Sequence, residues 1–202
     1  PANAIGTSES ARGALRAALL LSDSVDFAMG DEIARRYALL SVHEADWSGF
    51  YAAVFQDRAT QQLYLAIRGT DIMSPADLIN DVALVGAMAP GPLDQADSLR
   101  RYVGEIRAAQ AAGTLPPGAL TLTGHSLGGH LVHRAVLEYA GLAASAYTFN
   151  SAGVGGFLGL PGGVRYLLSS ENQFVQNFIA EPGLRVVSSW LSGLRPGMEF
   201  AT

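Results

Sequence analysis

The residues with the clearest chemical potential are Gly124-His125-Ser126-Leu127-Gly128, followed by Gly129. A serine hydroxyl is a weak nucleophile until a base takes its proton and paired donors stabilise the oxyanion formed by its attack on a carbonyl. Glycines two residues either side of a serine suit a sharp strand-to-helix turn, where any Cβ would collide with the neighbouring strand or helix. Such a turn lifts the hydroxyl above a sheet. The amide of Leu127, at the start of the helix, is then a ready oxyanion donor. The same residues also suit an ordinary glycine-rich turn, and the flanking elements decide between the two.

Those elements fit the sharp turn. Ala119 to Thr123 reads as a short strand, Leu127 to Ala140 as a helix stopped by Gly141, and Ala146 to Phe149 as a second strand. Strand, helix and strand in that order make a βαβ unit with a parallel pair. Upstream, Gly49 to Phe55 and Leu63 to Ile67 read as strands joined across Gln56 to Thr60. Downstream, Phe174 to Ile179 and Leu184 to Val187 extend the alternation, after a glycine-rich loop from Ser151 to Gly163.

Helices fill the remaining positions. Ala96, Leu99, Val103, Ile106 and Gln110 trace one helical face between Asp94 and Gly113, opposite Arg100, Arg101, Glu105 and Arg107. Near the N-terminus, Ser8 or Ser10 caps a helix running to Leu21. Asp31 opens another, with Ile33, Tyr37 and Leu40 on one face. The expected fold is α/β, with a mostly parallel central sheet and helices on both faces.

Composition narrows the function. At 202 residues, half of them apolar, residues 1–202 are expected to form one domain whose core stands without staples. The absence of cysteine excludes disulfides and thiolate metal ligation. Thirteen basic against eighteen acidic residues give a net charge of −5, which argues against a nucleic-acid partner. The apolar run from Ala17 to Leu21 is too short for a bilayer span and lacks the cationic flank of a signal peptide.

Beyond the serine, chain order calls for an acid in a loop after a later strand. Glu181 fits, in Ala180-Glu181-Pro182-Gly183, with Glu171 as the alternative. Histidine is harder to place. His125 belongs to the turn itself, and His130 and His133 lie four and seven residues past Ser126 on a helix running under the sheet. His43 precedes the strands and needs an additional loop to reach the serine.

Several separated segments together resemble a known family. Ile67-Arg68-Gly69-Thr70, the stretch Asp71 to Val82 with Asp77-Leu78-Ile79-Asn80-Asp81, Leu122 to Leu131, and Tyr147-Thr148-Phe149-Asn150 look like a class 3 lipase. The likeness runs from about Trp47 to Thr202. It is closest to catalytic domains of bacterial lipases that carry C-terminal hemolysin-type calcium-binding repeats. Those repeats are not in this chain, so no calcium site is carried over. The resemblance implies the α/β-hydrolase fold, ester hydrolysis without a cofactor or metal, and Thr70 as the second oxyanion donor. Glu181 matches the family's triad acid, more often aspartate. Asp71 to Pro92, with Leu78, Ile79, Val82, Leu84, Val85 and Met88, corresponds to a lid that can touch a lipid interface, although the same side chains also suit a core. The family's histidine follows a segment like Pro196 to Phe200, so the sequence is expected to stop short of its own base. A secreted bacterial protein is the source that the resemblance favours.

Three functions follow as expectations. The first is a serine ester hydrolase acting on acyl esters or lipids, with Ser126 and Glu181 in a triad and Leu127 and Thr70 as oxyanion donors. The second is a catalytically inactive hydrolase-like domain that binds a ligand, and the third an acyltransferase using the same nucleophile.

Overall fold

The computed structural model describes residues 9–20, 26–44, 46–69, 91–151, 175–179 and 198–200. Two helices lead the chain, α1 (Glu9–Leu20) and α2 (Phe27–Arg36), and they pack on one another. Asp26 caps α2, its carboxylate accepting from the Met29 amide at 2.8 Å. Among the described residues one seven-stranded sheet follows: β1 (Tyr37–His43), β2 (Ala52–Asp57), β3 (Leu63–Ile67), β4 (Leu120–His125), β5 (Ala143–Phe149), β6 (Val175–Ile179) and β7 (Met198–Phe200). The strands stand in chain order. β1, β2 and β3 are antiparallel, and β3 through β7 are parallel. Helix α3 (Gly91–Ala111) precedes β4, and α4 (Leu127–Glu138) joins β4 to β5. This is the α/β architecture with a mostly parallel sheet that the sequence leads one to expect.

One segment departs from its local pattern. Tyr37 and Leu40, which their spacing puts on a helical face with Ile33, belong to β1. The chain leaves α2 at Tyr37, already extended at φ −110°, and pairs with β2 from Tyr37↔Asp57 to His43↔Ala52. Long-range pairing outweighs the helical period here, helped by an Arg36–Asp57 ion pair at 2.8 Å and an edge-on contact between the Tyr37 and Tyr64 rings at 5.6 Å.

The register aligns two rows of side chains across the sheet. Ser41, Val54, Leu65, Leu122, Ala146 and Val175 stand opposite one another from β1 to β6. The next row, His43, Ala52, Ile67, Gly124, Thr148, Asn177 and Met198, spans all seven strands. Each parallel crossover advances one strand in the same direction, so right-handed connections put α3 and α4 on one face. Leu99, Tyr102, Val103 and Ile106 of α3 and Leu131, Val132, Ala135 and Val136 of α4 close the core over the first row. Burying each leucine, valine or isoleucine among them contributes about 1.5–3 kcal/mol. Tyr102 also donates to Ser41 Oγ at 3.1 Å, and burial pushes its phenol up to about 12 despite that bond. Among the described residues no helix is long and apolar enough to cross a membrane.

The β2–β3 hairpin is closed by a carboxylate. Asp57 is buried and accepts from Arg36 Nε, from the Ala59 amide at 2.8 Å and from the Thr60 amide at 3.1 Å. The Arg36 hydrogen bond, followed by the Thr60 amide, holds its pKa below the usual carboxylate range. An unfolded aspartate takes up its proton near pH 3.9, before the folded one does. The stabilisation is therefore complete above about pH 4 and is lost as pH falls from there through the depressed folded value. Asp57→Asn should flatten the fall in Tm between about pH 6 and about pH 3. The same slope in variant and parent, by calorimetry, would count against this assignment.

Candidate active site

Ser126 stands where β4 ends and α4 begins, at the edge of the sheet to which the C-termini of the parallel strands point. Its backbone is at φ 54° and ψ −119°, a conformation that only glycine adopts without strain. Two backbone bonds fix it. The Ser126 amide donates to the Phe149 carbonyl at 3.0 Å, and the Ser126 carbonyl accepts from the His130 amide at 3.2 Å, opening the helix. The hydroxyl makes no capping bond to α4. Such a conformation costs about 1–3 kcal/mol and persists only because the surrounding backbone holds it. Ser126→Gly should relieve about 1 kcal/mol and raise Tm by roughly 2–4 °C. Thermal unfolding at an unchanged or lower Tm would mean that the turn stores no strain.

The glycines make the turn sterically possible. A Cβ on Gly124 would lie 2.8 Å from the Gly129 amide and closer still to the Gly128 carbonyl. A Cβ on Gly128 would lie 2.9 Å from the Arg68 carbonyl carbon and 3.0 Å from the Gly69 amide, with the Ile67 carbonyl nearer yet. These contacts are backbone against backbone. The end of β3 therefore lies directly on the start of α4, and a Cβ at Gly69 would come within 2.7 Å of the His125 carbonyl and 3.6 Å of Ser126 Cβ. The Arg68 amide in turn donates to the Tyr51 carbonyl at 3.0 Å. Thus the β3 exit, one residue before Thr70, is brought against the serine turn. Leu127, half-buried, provides the first amide of α4.

The histidines occupy distinct places. His43 lies in β1, inside the sheet rather than before it, three strand spacings or about 14 Å from Gly124 in the shared row. Its Nε2 bonds the Asp46 carboxylate at 3.3 Å, and its ring packs on Phe50 and Tyr102. His133 is buried under the sheet, where Nε2 meets Asn177 Oδ1 at 3.0 Å, and Thr148 Oγ1 donates to the same oxygen. His125 is exposed at the turn, and His130 is half-buried one turn into α4. Thr70, Glu181, Glu171, the Leu184 to Val187 strand and the candidate lid residues Leu78, Ile79, Val82, Leu84, Val85 and Met88 lie outside the described residues.

A feature invisible in the sequence is a polar cluster at the same edge. Asp46 accepts from the Ser48 amide at 2.9 Å, from Ser48 Oγ and Ser98 Oγ at 2.5 Å each, and from Arg101 at 3.4 Å. Burial opposes its ionisation, but these hydroxyl and amide bonds, with His43, outweigh it and hold the carboxyl well below the usual range. Only its spacing to Ser48, which suits a side-chain-to-backbone turn, signals it locally.

Neither a protein-family profile nor a curated protein sequence matches the chain. Solved structures do. Lipase II from Rhizopus niveus superposes with a TM-score of 0.65 at 17% identity, over 92% of this chain and 75% of that one. A lipase from Rhizopus microsporus var. chinensis gives 0.61 at 14% identity, over 99% and 78% of the two chains. A triacylglycerol lipase whose catalytic centre is a serine protease triad gives 0.57 at 16% identity, over 89% and 74%. The chain has the α/β-hydrolase fold of these lipases.

Proposed function

We propose that this chain is a serine carboxylic ester hydrolase of the lipase kind, working through an acyl-enzyme on Ser126. The observation that carries the reading is the strained Ser126 turn with the β3 exit packed against it. Ser126 Oγ attacks the acyl carbonyl, and its proton passes to a histidine that returns it to the departing alkoxide. Water, activated by the same histidine, then releases the acid. The Leu127 amide and Thr70, one residue past Gly69, hold the oxyanion. Glu181 orients the histidine. It lies four residues after Asn177, and β6 is two strand spacings, about 10 Å, from β4. The serine-protease-type triad of the triacylglycerol lipase of like fold favours the same three-part arrangement here. His43 and His133, held by Asp46 and Asn177, are not assigned the role of base. The closer resemblance to bacterial lipases with hemolysin-type repeats rests on the sequence motifs alone.

The candidate lid from Asp71 to Pro92 carries the apolar residues that a wall for an acyl chain needs. Each methylene buried there contributes up to about 0.8 kcal/mol, so kcat/KM should rise roughly fourfold per added carbon until the pocket is full. Acetyl, butyryl, octanoyl and palmitoyl p-nitrophenyl esters measure this series. A maximum at acetyl would remove the lid and point to a small-ester hydrolase.

The direct test is labelling with a fluorophosphonate, which requires an activated serine. Protein that carries the triad histidine should be labelled, and its Ser126→Ala variant should not. Absence of labelling in that protein would favour the inactive binding domain, a reading to which the engagement of His43 and His133 elsewhere lends weight. Turnover with added alcohol separates hydrolysis from acyl transfer by product.

A further inference from the structure

Trp47 is 76% exposed, more than any other large apolar side chain among the described residues. Single exposed apolar residues are ordinary on protein surfaces, but this one is mounted on a braced turn. Asp46 and Gly49 close the turn through an amide-to-carbonyl bond of 2.9 Å, with Gly49 at φ +77°. The Asp46 carboxylate is gripped by Ser48, Ser98, His43 and Arg101, and Gln95 Nε2 donates to the Ser48 carbonyl at 2.9 Å. β1, α3 and the turn itself thus hold the backbone that carries the indole. The turn is bracketed by His43 and Ala52, both in the row that contains Gly124. Trp47 therefore stands at the same edge of the sheet as Ser126.

Its charged neighbours define what it fits. Arg101 is exposed beside the turn, and exposed Arg68 stands at the β3 exit with its guanidinium 4.9 Å from the Tyr51 ring. Guanidinium groups match phosphate oxygens, and an indole on a polar rim partitions into the headgroup layer of a bilayer. Exposed Glu44 at the same edge suits a zwitterionic surface better than an anionic one. We propose that the Trp47 turn is a lipid-surface anchor: the indole enters the headgroup layer of a zwitterionic phospholipid surface, with Arg68 and Arg101 on its phosphates. The anchor belongs to a part of the sequence distinct from the candidate lid, Asp71 to Pro92. It rests on the ester-hydrolase reading in that it presents Ser126 to a water-insoluble ester.

The test uses Trp190→Phe, which leaves Trp47 as the sole tryptophan reporter, and phosphatidylcholine vesicles with or without acyl-brominated lipid. Vesicles should shift the Trp47 emission to the blue, and brominated lipid should quench it. Trp47→Ser should co-sediment with phosphatidylcholine vesicles on the order of tenfold less well. It should hydrolyse emulsified esters correspondingly more slowly, while turnover of soluble p-nitrophenyl acetate stays unchanged. Emission unmoved by vesicles, or wild-type sedimentation of Trp47→Ser, overturns the anchor. Quenching in a protein that carries the triad histidine yet hydrolyses no ester supports the anchor and overturns the ester-hydrolase reading.

Discussion

Replacing Ser126 by alanine is expected to lower kcat/KM for p-nitrophenyl butyrate by about 10⁴- to 10⁶-fold. Alanine retains the Cβ, so the strain at φ 54° and the packing of Gly124 and Gly128 around the turn persist. What disappears is the one oxygen that forms the acyl-enzyme. The Leu127 amide and the β3 exit remain, and a residual rate of about 10³ to 10⁴ over water is the contribution expected of oxyanion donors and binding alone. Stability should barely change, in contrast to the gain expected for Ser126→Gly. Parallel kinetics and calorimetry on the two variants therefore separate chemistry from backbone strain. Loss of less than tenfold in Ser126→Ala would mean that the hydrolysed ester is attacked by another group.

How far this was legible beforehand differs from element to element. Gly124 and Gly128 disclose the strand-turn-helix because their steric demand is local: two missing Cβ atoms imply two close backbones. The amphipathic face Ala96, Leu99, Val103 and Ile106 is equally local, and those four side chains are buried. By contrast, β1 is disguised by an i, i+4, i+7 spacing that a helix would also satisfy. Only pairing with β2, across a connection that the local pattern cannot evaluate, makes it a strand. The Asp46 cluster is hidden for the same reason, since Ser98 is 52 residues away and arrives on α3. A row such as His43, Ala52, Ile67 and Gly124 cannot be read from sequence at all, because register depends on every hairpin and crossover between β1 and β4. That row excludes His43 as a partner of Ser126 more firmly than its early position in the chain does.

Gly128→Ala is expected to be, with Gly124→Ala, among the most damaging single methyl additions at the described glycines that pack backbone on backbone. The added Cβ would meet the Ile67 carbonyl, the Arg68 carbonyl carbon at 2.9 Å and the Gly69 amide at 3.0 Å. No side chain can rotate away, so either α4 or the end of β3 must move. The cost should be about 3 kcal/mol or more, lowering Tm by roughly 6–12 °C for a chain of this length. The displacement falls on the β3 exit, one residue before Thr70, so activity should drop beyond what the lost stability explains at a temperature where the variant is folded. Gly104→Ala is the matched control. Its Cβ would meet nothing within 4 Å on an exposed position of α3, and the helix-favouring methyl should raise stability by about 0.5–1 kcal/mol. Opposite signs for the two glycines, read by thermal unfolding, would establish that the β3 exit and the α4 start are in contact. An unchanged Tm in Gly128→Ala would show that they are not, and would withdraw the structural support for Thr70 as an oxyanion donor.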